Sequence, residues 1–264
     1  MRIVVCMKQV VDPKTVKISR SREEFDLREA VRITNPPDKL ALETALRLRE
    51  ADGGGEVIAL TAGEAQAEDV VREAIAIGAD RGLLIADAEL ATAGGRAVAK
   101  TLAAAIGLLG GVELVLLGQT RFASTDGAGS LAPRLAAELD WPVVLDAVGL
   151  THASAGDLEA TVASDKGAIL MPLAAPVVVA IAPGPDPIRP RYPYPARIAN
   201  AWQPGLVEIC TPRELGLDVE ALAPDIEPGG LVLPPERTRG EVIGGSVQEA
   251  AEQLVGLLRI RRVI

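Results

Sequence analysis

Residues 118–130 read GQTRFASTDGAGS, between an apolar run, VELVLL (112–117), and a helical stretch, LAPRLAAEL (131–139). Thr120, Ser124, Thr125 and Ser130 offer hydroxyls, with Gly118, Gln119 and Ala128 among them. Gly127 and Gly129 let backbone N–H groups turn inward as a nest. The next helix adds its free N–H groups and the positive end of its dipole, which favour an anion such as phosphate. The same residues also describe a capped loop-to-helix turn, with Asp126 or Ser130 as the cap. Neither GxxxxGK[ST] nor GxGxxG occurs, so on this stretch alone both readings stand.

Two further places carry chemistry of the same kind. VCMKQ (5–9) ends in Lys8, either a phosphate ligand or a solvated strand-end lysine. TAGEAQ (61–66) holds Ala62 and Gly63, small enough for close backbone approach. Asp12 and Asp38 have the character of caps. Tyr192, Tyr194 and Trp202 are half of the chain's six aromatic residues and fall within eleven positions of a proline-rich stretch. They either anchor a partner, as rigid aromatics do, or pack the loop down on the body. No nucleophile elbow, Cys–His pair or tight carboxylate dyad is present. The single histidine, His152 in THASAG, excludes a multi-histidine metal site and reads as a solvated loop residue.

The elements that position these residues alternate. RIVVC (2–6), EVIALTAG (56–63), RGLLIAD (81–87) and VELVLLG (112–118) are short apolar runs of strand type. TVKIS suggests a small hairpin or edge ribbon. Helical patterns follow at 34–51, 68–80, 94–110 and 131–140. In the first of them, Asn35 or Asp38 caps the helix, with Pro36 and Pro37 before the cap. Leu40, Ala41, Ala45, Leu46 and Leu48 form its apolar stripe. This order predicts an α/β fold, a doubly wound, mostly parallel sheet with helices on both faces. WPVVLDAVGL, LEATVAS and PVVVAIAP then follow as strands without intervening helices. They extend the sheet antiparallel or form a meander at its edge. From Pro183 the chain turns irregular, and it ends in an amphipathic helix at 246–264 with Ala250, Leu254, Leu257 and Leu258 on one face. The expected division is a nucleotide-binding α/β domain (1–182), a recognition loop (183–204) and a C-terminal arm and helix (205–264). The arm either clasps another subunit or folds back on its own domain.

Composition agrees with such a fold. The chain has 264 residues, of which 48% are apolar and only 2% aromatic. Its core must therefore be aliphatic, as suits helices packed on a parallel sheet. The net charge of −9 argues against bulk attraction to nucleic acid. Two cysteines, Cys6 and Cys210, without CxxC spacing exclude a disulfide framework or zinc site and fit a reducing compartment. No signal peptide or membrane-spanning run is expected, which places the chain in the cytoplasm.

With these elements in place, the sequence resembles the β subunit of electron transfer flavoproteins (the EtfB/FixA family) over essentially its whole length. The resemblance rests on VCMKQVVDP (5–13), TNPPDKLALETALRLRE (34–50), AIGADRGLLI (76–85), ASTDGAGSLAPRLAAELDWP (123–142), PRYPYPARIANA (190–201) and PPERTRG (234–240), in that order. It implies an adenine nucleotide alpha hydrolase-like fold. It also implies a heterodimer with an α subunit that holds the redox-active FAD. The pair would carry electrons from dehydrogenases, such as acyl-CoA dehydrogenases, to a membrane quinone oxidoreductase. The β subunit would be a carrier subunit and not an enzyme. It would bind AMP or, in electron-bifurcating members that oxidise NADH, a second FAD. The resemblance places that nucleotide at Cys6, at Asn35, Pro36, Pro37 and Asp38, at Ala62, and along Gly118 to Ser130. Many members read QAIDxDTxQ in that last loop, and TRFASTDGAGS is slightly longer and lacks the usual glutamine. A cradle of backbone N–H groups survives such a change. The loop Arg191, Tyr192, Pro193, Tyr194 and Pro195 takes the place of the family's dehydrogenase-docking loop. A stand-alone nucleotide-binding module on a similar fold would have no need of the long arm.

Overall fold

A computed structural model describes residues 1–19, 24–119, 129–153, 157–185, 188–218, 240 and 242–264. The chain divides into two units, Met1–Ile18 with Phe25–Gly230, and Ser19–Glu24 with Leu231–Ile264.

The first unit is built on a sheet of nine strands among the described residues. They are β1 (Arg2–Cys6), β6 (Glu56–Gly63), β7 (Arg81–Ala86), β8 (Leu114–Gly118), β9 (Val143–His152), β10 (Leu158–Ser164), β11 (Gly167–Leu173), β12 (Val177–Ile181) and β13 (Val207–Cys210). The short strands β2 (Gln9–Val11) and β5 (Arg32–Thr34) pair with each other, as do β3 (Lys17–Ser19) and β4 (Glu24–Asp26). The large sheet runs β11-β10-β9-β12-β8-β1-β6-β7-β13. Its pairings are parallel except β9 with β10 and β10 with β11.

Successive side chains of a strand face opposite ways, and β1 uses both faces. Ile3, Val5 and Met7 join the core under α1 (Pro36–Ala51) and α2 (Glu68–Ile77). Val4 and Cys6 join the core under α3 (Gly95–Leu109) and α4 (Leu131–Leu139). A strand covered twice must be apolar throughout, which is why RIVVC, EVIALTAG and RGLLIA do not alternate. A short helix, α5 (Pro195–Asn200), follows the proline-rich stretch.

Several expectations are corrected. Pro36 and Pro37 lie inside α1, at its first positions, where the missing proline N–H costs nothing. Asn35 is the N-cap by position, but its side chain makes no capping bond. The buried stripe of α1 includes Leu42, while Leu40 is only half-buried. Of the three strands expected after α4, two join an edge meander as one reading had it, and the third, β12, takes neither of the arrangements foreseen. β9, β10 and β11 form an antiparallel meander at the edge, whereas β12 returns to lie parallel between β9 and β8. β11 and β13 were not expected as strands. β13 pairs parallel with β7 at the other edge, so the segment read as an arm begins within the sheet. His152 is not a loop residue. It ends β9, largely buried, with Nε2 3.0 Å from Asp52 Oδ1.

In the second unit the described element is α6 (Val247–Ile260), the C-terminal amphipathic helix. Ser246 caps it reciprocally. The Glu249 N–H donates to Ser246 Oγ (3.3 Å), and the Ser246 N–H donates to Glu249 Oε2 (2.8 Å).

Candidate functional site

From β1 the chain moves one way to β6 and β7, and β8 lies on the other side of β1. This reversal opens a crevice beyond the C-terminal ends of β1 and β8, where open α/β sheets bind ligands. Cys6, Lys8 and Gly118 stand at those ends, and Asn35 and Asp38 enter from the start of α1.

Asp38 ties the crevice together. Its side chain is almost fully buried. Oδ2 accepts the N–H of Lys8 at 2.9 Å, and Oδ1 accepts the N–H of Gly118 at 3.1 Å. One carboxylate thereby holds the ends of two strands, and the capping role expected of Asp38 gives way to this one. Burial raises its pKa to about 7, against the lowering effect of hydrogen bonds from Lys8 and Gly118. The approach is close because Gly118 has no side chain. An added Cβ would lie 2.2 Å from the Pro37 carbonyl carbon.

The backbone locks in register around this carboxylate. The Asn35 N–H donates to the Lys8 carbonyl at 2.9 Å, and the Asp38 N–H to the Asn35 carbonyl at 3.0 Å. Asn35 itself is 3% exposed, and its side chain hydrogen-bonds the Asp38 carboxylate, a further influence that lowers that carboxyl's pKa against burial. Thr61, next to Ala62 and Gly63 at the end of β6, is buried with an unpartnered Oγ1. Buried polar groups are normally satisfied. The Thr61 hydroxyl is an exception to that rule among the described residues. The Thr61 hydroxyl was missed in the sequence because a threonine inside an apolar strand reads as β-branched filler.

Cys6 is buried, and burial followed by the charge of Asp38 pushes its thiol far above the ordinary range. It stays a neutral wall of the crevice and not a nucleophile. Gln119 spends its side chain on the sheet. Its Nε2 donates to Asp146 Oδ1 at 3.0 Å, and its Oε1 accepts the Asp146 N–H at 2.6 Å. Beyond it, Thr120, Thr125, Asp126, Gly127 and Ala128 lie outside the described residues. Gly129 has φ +85°, which glycine adopts freely, and Ser130 leads into α4. Pro133 has no N–H, so Leu131 and Ala132 supply the donors of that first turn. Among the described residues no cluster of His, Cys, Asp or Glu could hold a metal ion.

The second expected site lies on the same unit. Tyr192 is 90% exposed and Tyr194 72% exposed. Trp202 is held differently, with the Arg72 guanidinium 4.5 Å from its ring centroid. Arg191 is pinned to α1 by Glu43 and Glu50, two contacts that sequence spacing does not disclose.

The family profile described as "Electron transfer flavoprotein domain" matches residues 26–201. The chain is 34% identical over 268 residues to the electron transfer flavoprotein subunit beta of Thermoanaerobacterium thermosaccharolyticum, with all of both chains covered. It is 32% identical over 277 residues to the caffeyl-CoA reductase-Etf complex subunit CarD of Acetobacterium woodii, again with all of both chains covered. It is 31% identical over 262 residues to the electron transfer flavoprotein subunit beta of Bacillus subtilis, with 98% of each chain covered. A doubly wound sheet with a switch-point crevice joins these full-length matches in one conclusion: the chain belongs to the electron transfer flavoprotein β-subunit family.

Proposed function

We propose that this chain is the β subunit of a heterodimeric electron transfer flavoprotein that binds AMP in the crevice between β1 and β8. The observation that supports the nucleotide is the crevice itself, beyond the ends of β1 and β8, whose walls the buried Asp38 carboxylate holds in place. Thr61 Oγ1 and the first N–H groups of α4 add donors of the kind that a ribose or phosphate oxygen accepts. No redox chemistry is asked of the AMP. It fills the crevice, while a flavin held with the α subunit carries the electrons. The chain itself contributes no catalytic residue.

The exposed Tyr192 and Tyr194, in a loop stiffened by Pro190, Pro193 and Pro195, dock dehydrogenases. The same complex hands its electrons to a quinone oxidoreductase. The carrier works from the cytoplasm as a diffusing protein, and no helix among the described residues is long and apolar enough to cross a membrane. CarD, named for a caffeyl-CoA reductase complex, supports a second reading in which FAD occupies the β site of a bifurcating carrier.

The decisive experiment is acid extraction and chromatography of the nucleotides from the co-purified αβ complex. One FAD and one AMP per complex supports the proposal. Two FAD replaces it with the bifurcating carrier. A stable protein that co-purifies with no second subunit replaces both with a stand-alone nucleotide-binding module.

A further inference from the structure

Arg191 stands beside the two exposed tyrosines but does not share their exposure. Its Nε donates to Glu43 Oε2 at 2.9 Å, and its Nη2 to Glu43 Oε1 at 3.1 Å. Nη1 donates to Glu50 Oε1 at 2.5 Å, and Nη2 to Glu50 Oε2 at 3.2 Å. The backbone N–H of Arg191 also donates to Glu43 Oε2, at 3.2 Å. Two carboxylates of α1 therefore engage every nitrogen of the guanidinium, in the forked geometry that arginine alone provides.

Glu43 is a costly residue to place there, with a side chain only 4% exposed. Burial raises its pKa, but hydrogen bonds from Arg191 and Arg47 outweigh burial and hold the carboxyl below the ordinary glutamate range. A carboxylate so buried is tolerable only with cations against it. The loop beyond is stiff as well. Pro190, Pro193 and Pro195 each fix φ, so few backbone rotations separate the clamp from Tyr192 and Tyr194. A loop ordered before it docks loses less entropy on docking.

We propose that Arg191 is a positioning residue of the docking loop. Clamped to α1 by Glu43 and Glu50, it sets where Tyr192 and Tyr194 stand and does not itself meet the partner. This rests on the docking reading above. It makes affinity for the partner depend on Glu43, a residue too buried to reach that partner.

The test uses the αβ complex, reduced by a purified acyl-CoA dehydrogenase with its acyl-CoA substrate. Releasing two ordered tyrosines before docking should raise KM for Arg191→Ala roughly tenfold. Its kcat, flavin spectrum and nucleotide content should stay those of the parent. Trypsin should cut faster after Arg197 in that variant, because the segment around it is freed. Glu50→Gln should raise KM in the same direction. The double variant should be no worse than Arg191→Ala, since both changes break one clamp. If Arg191 touched the partner, Glu50→Gln would leave KM unchanged or lower it by freeing the guanidinium, and that result overturns the proposal. Should Arg191→Ala fail to assemble, Arg191→Lys takes its place, because a single ammonium cannot fork to two carboxylates. Tyr194→Ala separates the two levels. A raised KM in Tyr194→Ala with no change in the Arg191 variants overturns the clamp alone. An unchanged KM in Tyr194→Ala overturns the docking reading, and the clamp's role with it.

Discussion

At Gly118 an added methyl would lie 2.2 Å from the carbonyl carbon of Pro37 and 2.3 Å from the amide nitrogen of Asp38. Both neighbours are backbone, so neither can step aside without moving α1 off the sheet. Gly118→Ala should cost about 1–3 kcal/mol, the usual range for overpacking. It should also lower the nucleotide content of the purified complex, which chemical denaturation and extraction together would read. An Asp38→Asn variant would behave differently. The folded Asp38 has a pKa of about 7 against an ordinary value of 3.8, so the folded protein binds the extra proton between those limits. The stability this confers is fully present below about pH 4 and is lost as pH rises through 7. Relative to Asp38→Asn, the parent should therefore lose stability across that window, by on the order of 4 kcal/mol. A flat difference in unfolding free energy from pH 4 to 8 would contradict the assignment. The sequence shows Asp38 only as a polar residue near a helix start. Its true partners lie 30 and 80 positions away, and local spacing cannot reveal them.

Among the elements, the parallel strands were the most legible. Burial on both faces leaves continuous apolar runs, and Glu56–Gly63 and the span of α2 up to Gly78 follow from pattern and punctuation alone. The strands that escaped notice are edge strands. β13 is four residues long with two of them exposed, and β11 contains Pro172 and is exposed at every residue but Leu173. Without a burial face to alternate against, neither carries a period to detect. Exposure has a consequence for β11. Ile169, Leu170 and Met171 lie open on a strand whose outer edge has no partner among the described residues. Such an edge invites pairing with another chain. Purified alone, the chain should self-associate with rising concentration in sedimentation velocity. Leu170→Lys should suppress this while changing folding stability by no more than about 0.5 kcal/mol.

On the scale of the whole molecule, the sheet and crevice belong to the first unit, and α6 belongs to the second. α6 has no buried residue, and Leu254 and Val255 remain 48% and 39% exposed. We propose that this capped amphipathic helix clasps the α subunit with the apolar stripe that includes Leu254, Leu257 and Leu258. Removing 226–264 should abolish co-elution with the α subunit in gel filtration while the α/β unit stays folded, and co-elution of the truncated chain would refute the clasp. The path of the chain through the sheet also dictates an order of assembly. β12 occupies the slot between β8 and β9, yet β9, β10 and β11 all precede it in the chain. During synthesis the meander can zip up early from neighbouring segments, while its attachment to the rest of the sheet waits for residues 177–181. Pairing across such separations is slow compared with local hairpins. Until β12 is in place, the meander has no other strand through which to join the rest of the sheet, and the flank of β8 facing it has no partner.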